Sequence, residues 1–212
     1  MIDRIQWLGN GTFFVHGPPR IYINPVSGIT TDRQQADVIL ISQATYDHCS
    51  PAVLNRLCGP STLIIANTQD ADCLSGHRAQ VLRPWQCITC QRARITAVPS
   101  HPTRSPASDG DSIPPIGFLI AMDTYDIFYA GDTVVLPDTQ FLHPDIAILP
   151  VRNRRTGLLA IDYAIETVRV LKPRWVIPSY WQAGGGSGLL DVKAFQAALS
   201  PLTEVVIPAA VR

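Results

Sequence analysis

The chain has 212 residues, 46% of them hydrophobic, with 17 Lys plus Arg against 17 Asp plus Glu; this suits a single domain over residues 1–212 with a sizeable core. The balanced charge offers no basic field for nucleic-acid phosphates, so nucleic acid is not an expected partner. Five cysteines without paired spacing make no disulfide framework, MIDRIQWLGN lacks a signal peptide's apolar run, and no stretch approaches the roughly 18 apolar residues of a membrane span; a reduced, cytoplasmic protein with no membrane partner is expected.

Residues 2–23 alternate short apolar runs with the turn signals Gly9-Asn10-Gly11 and Gly17-Pro18-Pro19, which predicts antiparallel strands and hairpins. The run Val38 to Ile41 then stops abruptly in the polar string that ends at Ser50, as expected of a buried strand that delivers its C-terminal loop to a site. In that loop Asp47 and His48 are adjacent, a carboxylate beside an imidazole, which a divalent metal accepts. Ser50 and Pro51 have the chemistry of an N-cap and a first helical residue, so PAVLNRLC reads as a short helix ended by Gly59-Pro60. STLIIAN is a predicted strand, TQDADCLSG a short helix closed by Gly76, and Gln80 to Cys90 reads as irregular.

Arg92 to Val98 is a predicted strand running into His101, a second coordinating side chain at a strand's end. Residues 102–114 are rich in Pro, Ser and Asp and read as an exposed loop. GFLIAM and DIFYAGDT form a predicted hairpin that ends in Gly131-Asp132-Thr133, and PDIAILP is a further buried strand. Ala160 to Leu171 has an apolar face for a helix, RWVIPSYW is a strand, residues 183–188 are a glycine-rich loop, and Leu189 to Leu199 is a helix before the closing strand EVVIP.

The frame ADVILIS-x-x-x-x-DH together with YAGDT resembles the metallo-β-lactamase superfamily, whose metal loop reads H-x-H-x-D-H. Nearly the whole chain shares the likeness. The segments WLGNG and YINP are similar to the WLGHA and LIDP of the ascorbate-6-phosphate lactonase-like branch, with Asn10 and Asn24 in place of a His and an Asp. The resemblance implies a four-layer αββα sandwich and a metal-dependent hydrolase. It also implies a degenerate site, in which Gln43, Thr45 and Tyr180 stand where the family has histidines, while Asp47, His48, His101 and Asp132 are kept as candidate metal-binding residues.

What remains is one imidazole of the three-histidine site and, beside it, the carboxylates of Asp47 and Asp132 with His48. Three protein ligands and an open position suit a mononuclear catalytic ion. The expectation is a hydrolase of a small ester, lactone or phosphoester that uses one zinc or manganese ion, with Asp47, His101 and Tyr180 as candidate catalytic residues. The alternative is a metal-free relative that keeps the scaffold to bind a small molecule or a partner, with the four retained side chains as a hydrogen-bonded cluster. Cys87 and Cys90 form a lone CxxC without the second pair of a structural zinc site, and Cys49, Cys58 and Cys73 read as small core residues. His16, His77 and His143 read as surface side chains, and Trp181 either walls the pocket or packs in the core.

Overall fold

A computed structural model describes residues 1–28, 34–46, 48–69, 71–100, 114–131, 139–151, 161–181 and 187–208. The N-terminal half lays down a six-stranded sheet in chain order: β1 (Ile5–Gly9), β2 (Thr12–Val15), β3 (Ile21–Ile23), β4 (Ala36–Ile41), β5 (Cys58–Ala66) and β6 (Ala79–Val81). Its first three strands are the expected antiparallel hairpins, and β3 to β6 run parallel. A seven-stranded sheet follows, also in chain order: β7 (Cys87–Cys90), β8 (Ala93–Pro99), β9 (Ile116–Met122), β10 (Tyr125–Tyr129), β11 (Ile146–Pro150), β12 (Trp175–Ser179) and β13 (Glu204–Val205). The described helices are α1 (Pro51–Leu57), α2 (Ile161–Leu171) and α3 (Ser187–Leu199). This is the αββα architecture that the resemblance implied.

Strand parity sorts the first sheet into its layers. Phe13, Val15, Ile21, Ile23, Val38, Leu40 and Ile65 join a core that includes the second sheet and the apolar faces of α2 and α3. Their neighbours Phe14, Tyr22, Ile39, Ile41 and Ile64 face the other way, against Val53, Leu54 and Leu57 of α1. A strand covered on both faces needs a continuous apolar run, which is why Val38 to Ile41 carries no polar residue. Phe13 meets Tyr129 edge-on across the sheets, their rings 6.2 Å apart.

Four local expectations are corrected. The stretch Gln80 to Cys90 is not irregular throughout: it completes β6 and supplies β7, which pairs antiparallel with β8 through a turn at Gln91, whose φ is 51°. Gly59 and Pro60 do not form a turn after α1; β5 starts directly at Cys58, and Pro60 is exposed in it. Ser50 precedes α1 but makes no side-chain cap, because its hydroxyl bonds Ser27 Oγ at 2.8 Å. The short helix after β5 is one 3-10 turn, Asp72–Leu74.

The start of β3 is held to β4 by Arg20 and Asp37, whose carboxylate takes the Arg20 backbone N–H at 2.7 Å and the guanidinium at 3.0 and 3.1 Å. These hydrogen bonds hold the Asp37 carboxyl below the usual carboxylate range. A depressed native pKa contributes stability that is present above the unfolded value of about 4 and lost as pH falls through the native value. Asp37→Asn is therefore expected to lower Tm at pH 7 by about 2–4 °C, in line with about 1 kcal/mol for a part-exposed pair. It is also expected to flatten the loss of stability below about pH 4, and thermal melts at stepped pH check both.

Candidate functional site

The topology collects loop starts along one edge. Parallel β3, β4 and β5 are followed there by Asn24, Ser42 and Asn67, and parallel β10, β11 and β12 by Ala130, Val151 and Tyr180. Antiparallel β8 ends beside the start of β9, so Ser100 and Ile116 belong to the same edge. Ile116 N–H donates to the Ser42 carbonyl at 2.8 Å and joins the two sheets.

Asn24 is the centre of the junction. It is buried with a φ of 47°, in the left-handed region that asparagine tolerates better than most residues. Its backbone N–H donates to Leu40 O, and its carbonyl accepts the Thr12 hydroxyl at 2.6 Å. Its side-chain Oδ1 accepts Ser42 N–H, while Nδ2 donates to Ser42 Oγ and to the Tyr129 hydroxyl, each at 2.8 Å. An aspartate here, as in the pattern that the sequence resembles, would have no hydrogen to give to Ser42 or Tyr129.

From Tyr129 the network runs to Tyr180. The Tyr129 hydroxyl donates to Gly11 O at 2.8 Å and lies 3.2 Å from the Tyr180 hydroxyl. Tyr180 is buried, has a φ of 54°, and donates its backbone N–H to Asn10 O at 2.9 Å. Its ring lies over Gly11, where an added Cβ would come within 2.2 Å of the phenol carbon Cζ. Trp181 turns away from this network and stacks on Trp7 with centroids 4.6 Å apart, so it packs in the core.

The loop after β4 folds as a tight turn, with the backbone N–H groups of His48 and Cys49 both donating to Thr45 O at 2.9 Å. Gln43 is half-buried, Thr45 and Tyr46 are exposed, and His48 is buried. The turn sets the Thr45 hydroxyl 3.0 Å from His48 Nδ1. Tyr180 stands edge-on to the same imidazole, centroids 6.3 Å apart. Asn67 braces the loop from β5, accepting Ala44 N–H at 3.1 Å and donating to Pro114 O at 3.0 Å.

Of the sequence-predicted site residues, His48 and Tyr180 are brought together, while Asp47, His101 and Asp132 lie outside the described residues. The described residues that precede 101 and 132 reach this edge: Ser100 follows β8, and a Cβ at Gly131 would lie 3.8 Å from Ser42 Oγ. Among the described residues no group of three or more His, Cys, Asp or Glu could hold an ion. Sequence reading missed Gly11, Ser42, Asn67 and Tyr129. Tyr129 sits inside YAGDT, where attention went to the aspartate, and Asn67 closes the STLIIAN strand.

The other singled-out residues take structural places. Cys87 and Cys90 are three apart on a strand, so their side chains point to opposite faces, one exposed and one half-buried, and neither can chelate with the other. Cys49 is fully buried beside Cys73 O, and burial pushes its thiol up. His16 bonds Gln6 and His77 bonds Asn55.

A family model described as the β-lactamase superfamily domain matches residues 4–180. The chain belongs to this family. Members with similar sequences include the UPF0173 metal-dependent hydrolase of Pelotomaculum thermopropionicum, 28% identical over 197 residues that cover 84% of each chain. That of Methanosarcina mazei is 24% identical over 194 residues, 84% of this chain and 83% of the relative. A crystal structure of a candidate metal-dependent hydrolase from Parabacteroides distasonis superposes with a TM-score of 0.80 at 24% identity, over 98% of this chain and 93% of that one. For the β-lactamase superfamily fold of this chain, the close fit of Tyr180 over Gly11 has a measurable consequence. Gly11→Ala is expected to cost about 1–3 kcal/mol by overpacking, and less than about 1 kcal/mol in a Tyr180→Ala background, where the clash is gone. Denaturant unfolding of the four proteins in the cycle measures the coupling.

Proposed function

We propose that the protein is a metal-dependent hydrolase whose site has shrunk to one zinc or manganese ion. The observation that carries this reading is His48, buried at the joined sheet edge with its Nδ1 engaged by Thr45, so that Nε2 is the nitrogen with which it would coordinate. An imidazole held in this way, with the two carboxylates of Asp47 and Asp132, makes a donor set suited to such an ion. An ion held there supplies Lewis acidity and makes water a better nucleophile near neutral pH. His101 and Tyr180 position the substrate or donate a proton, and the Tyr180 hydroxyl lies 3.2 Å from that of Tyr129. The names of the relatives as metal-dependent hydrolases support the reaction class.

The substrate of this reading is a small ester, lactone or phosphoester, supported by the likeness of WLGNG and YINP to the lactonase-like branch. Balanced charge argues against nucleic acid as a partner, and no described helix is long and apolar enough to cross a membrane. The free thiols fit a reducing, cytoplasmic compartment. Elemental analysis of protein incubated with Zn²⁺ or Mn²⁺ and then desalted is expected to find about one ion per chain, and His48→Ala to weaken binding by more than about 100-fold. Protein that takes up neither ion removes the hydrolase reading.

A metal-free binding protein is the second reading, and one observation favours it. Tyr180, at the position of a family histidine, is committed to Tyr129 and to the space over Gly11. If that reading is right, Gln43→His, Thr45→His and Tyr180→His together leave Zn²⁺ binding absent.

A further inference from the structure

Two of the positions that depart from the family's ligand pattern, 45 and 180, both touch His48. The bonds from His48 and Cys49 N–H to Thr45 O wind one turn of chain, which places residues 45 and 48 face to face. The Thr45 hydroxyl stands 3.0 Å from Nδ1, on a residue exposed enough for its own proton to go to water. Tyr180 sets its ring against the imidazole at 67° and is held from behind by Tyr129 and by its fit over Gly11.

We propose that Thr45 and Tyr180 are positioning residues for His48: the threonine oxygen receives Nδ1–H, which selects the tautomer with its lone pair on Nε2, and the tyrosine ring prevents the imidazole from turning. This rests on the reading of His48 as a metal ligand, which requires Nε2 as the coordinating atom. A ligating histidine commonly gives its other ring N–H to a fixed acceptor, and that acceptor sets both tautomer and orientation. A hydroxyl is suited to the task, since it accepts on either lone pair and can rotate its own hydrogen away. The branched Cβ of threonine limits its rotamers, so the oxygen is offered in few directions. Positions where relatives place ligands have here become supports for a ligand that remains.

Nitrogen-15 spectra of the full-length, metal-free protein read the His48 tautomer directly, with the signals assigned by their loss in His48→Ala. The Nδ1–H form is expected to dominate in the wild type and in Thr45→Ser, and to give way to a mixture in Thr45→Val. Tyr180→Phe, which keeps the ring, is expected to leave the His48 signals sharp, whereas Tyr180→Ala broadens them. In Zn²⁺ titrations Thr45→Val is expected to weaken binding by about 10–100-fold, with Thr45→Ser restoring most of it. A dominant Nε2–H form in the wild type overturns the proposal. So does a Thr45→Val variant that is folded by circular dichroism and unchanged in tautomer. The expected tautomer in a protein that takes up neither Zn²⁺ nor Mn²⁺ supports the positioning and removes the hydrolase reading alone.

Discussion

The side-chain amide of Asn24 joins the two sheets at the edge where their loops meet. Its oxygen holds the first backbone N–H after β4, its two hydrogens reach Ser42 Oγ and Tyr129, and Tyr129 passes the connection to Gly11 and Tyr180. Each such bond is worth only about 1 kcal/mol net, yet removing the amide leaves several buried groups without their partner at once. The loop with His48 departs from β4 at Ser42, so its direction is set by the hydrogen bonds that Asn24 makes to that residue. With a carboxylate here the Ser42 and Tyr129 hydroxyls would have to donate instead of accept, which for Tyr129 competes with its bond to Gly11 O. Asn24 is thus matched to Tyr129 and Ser42 as they stand in this chain.

The same matching links Gly11 to Tyr180. A phenol is much larger than an imidazole, and it is accommodated because residue 11 has no Cβ. Where the resembled pattern has alanine, the ring would have to move out of the network. Residues 11, 24 and 180 therefore form one physical set joined through Tyr129, and Thr45 and Tyr180 meet at His48.

Periodicity and punctuation were sufficient for the framework. Val38 to Ile41 announced a strand covered on both faces, and the hairpins of residues 2–23 followed from their glycines and prolines. Short edge elements were illegible for a physical reason. β6 and β7 have three and four residues, each includes exposed positions, and they are stabilised by pairing with β5 and β8 rather than by their own composition. In the site, DH and YAGDT located the loops, because ligand-type side chains are chemically distinctive. Asn24, Gly11 and Tyr129 act through contacts between residues far apart in sequence, and Thr45 acts through a turn geometry that spacing alone did not disclose. Their residue types are common in any core or loop, so only their placement identifies them.

Left-handed backbone collects at this edge. Asn10, Asn24 and Tyr180 have φ values of 48°, 47° and 54°, and Gly9 and Gly131 reach 119° and 73°. For asparagine the cost is modest, but for a tyrosine at the end of a strand it is on the order of 1 kcal/mol or more. The conformation of Tyr180 persists because its N–H is held by Asn10 O, its hydroxyl meets Tyr129, and its ring fills the space over Gly11. Asn10 O in turn accepts the Trp7 indole N–H, and Trp7 stacks on Trp181, the residue that follows the strained tyrosine. The strain is thus enclosed by contacts that return on themselves from β1 to the end of β12. Tyr180, held in this way, stands edge-on to His48, so the contacts that fix the tyrosine also bound the space in which the imidazole sits.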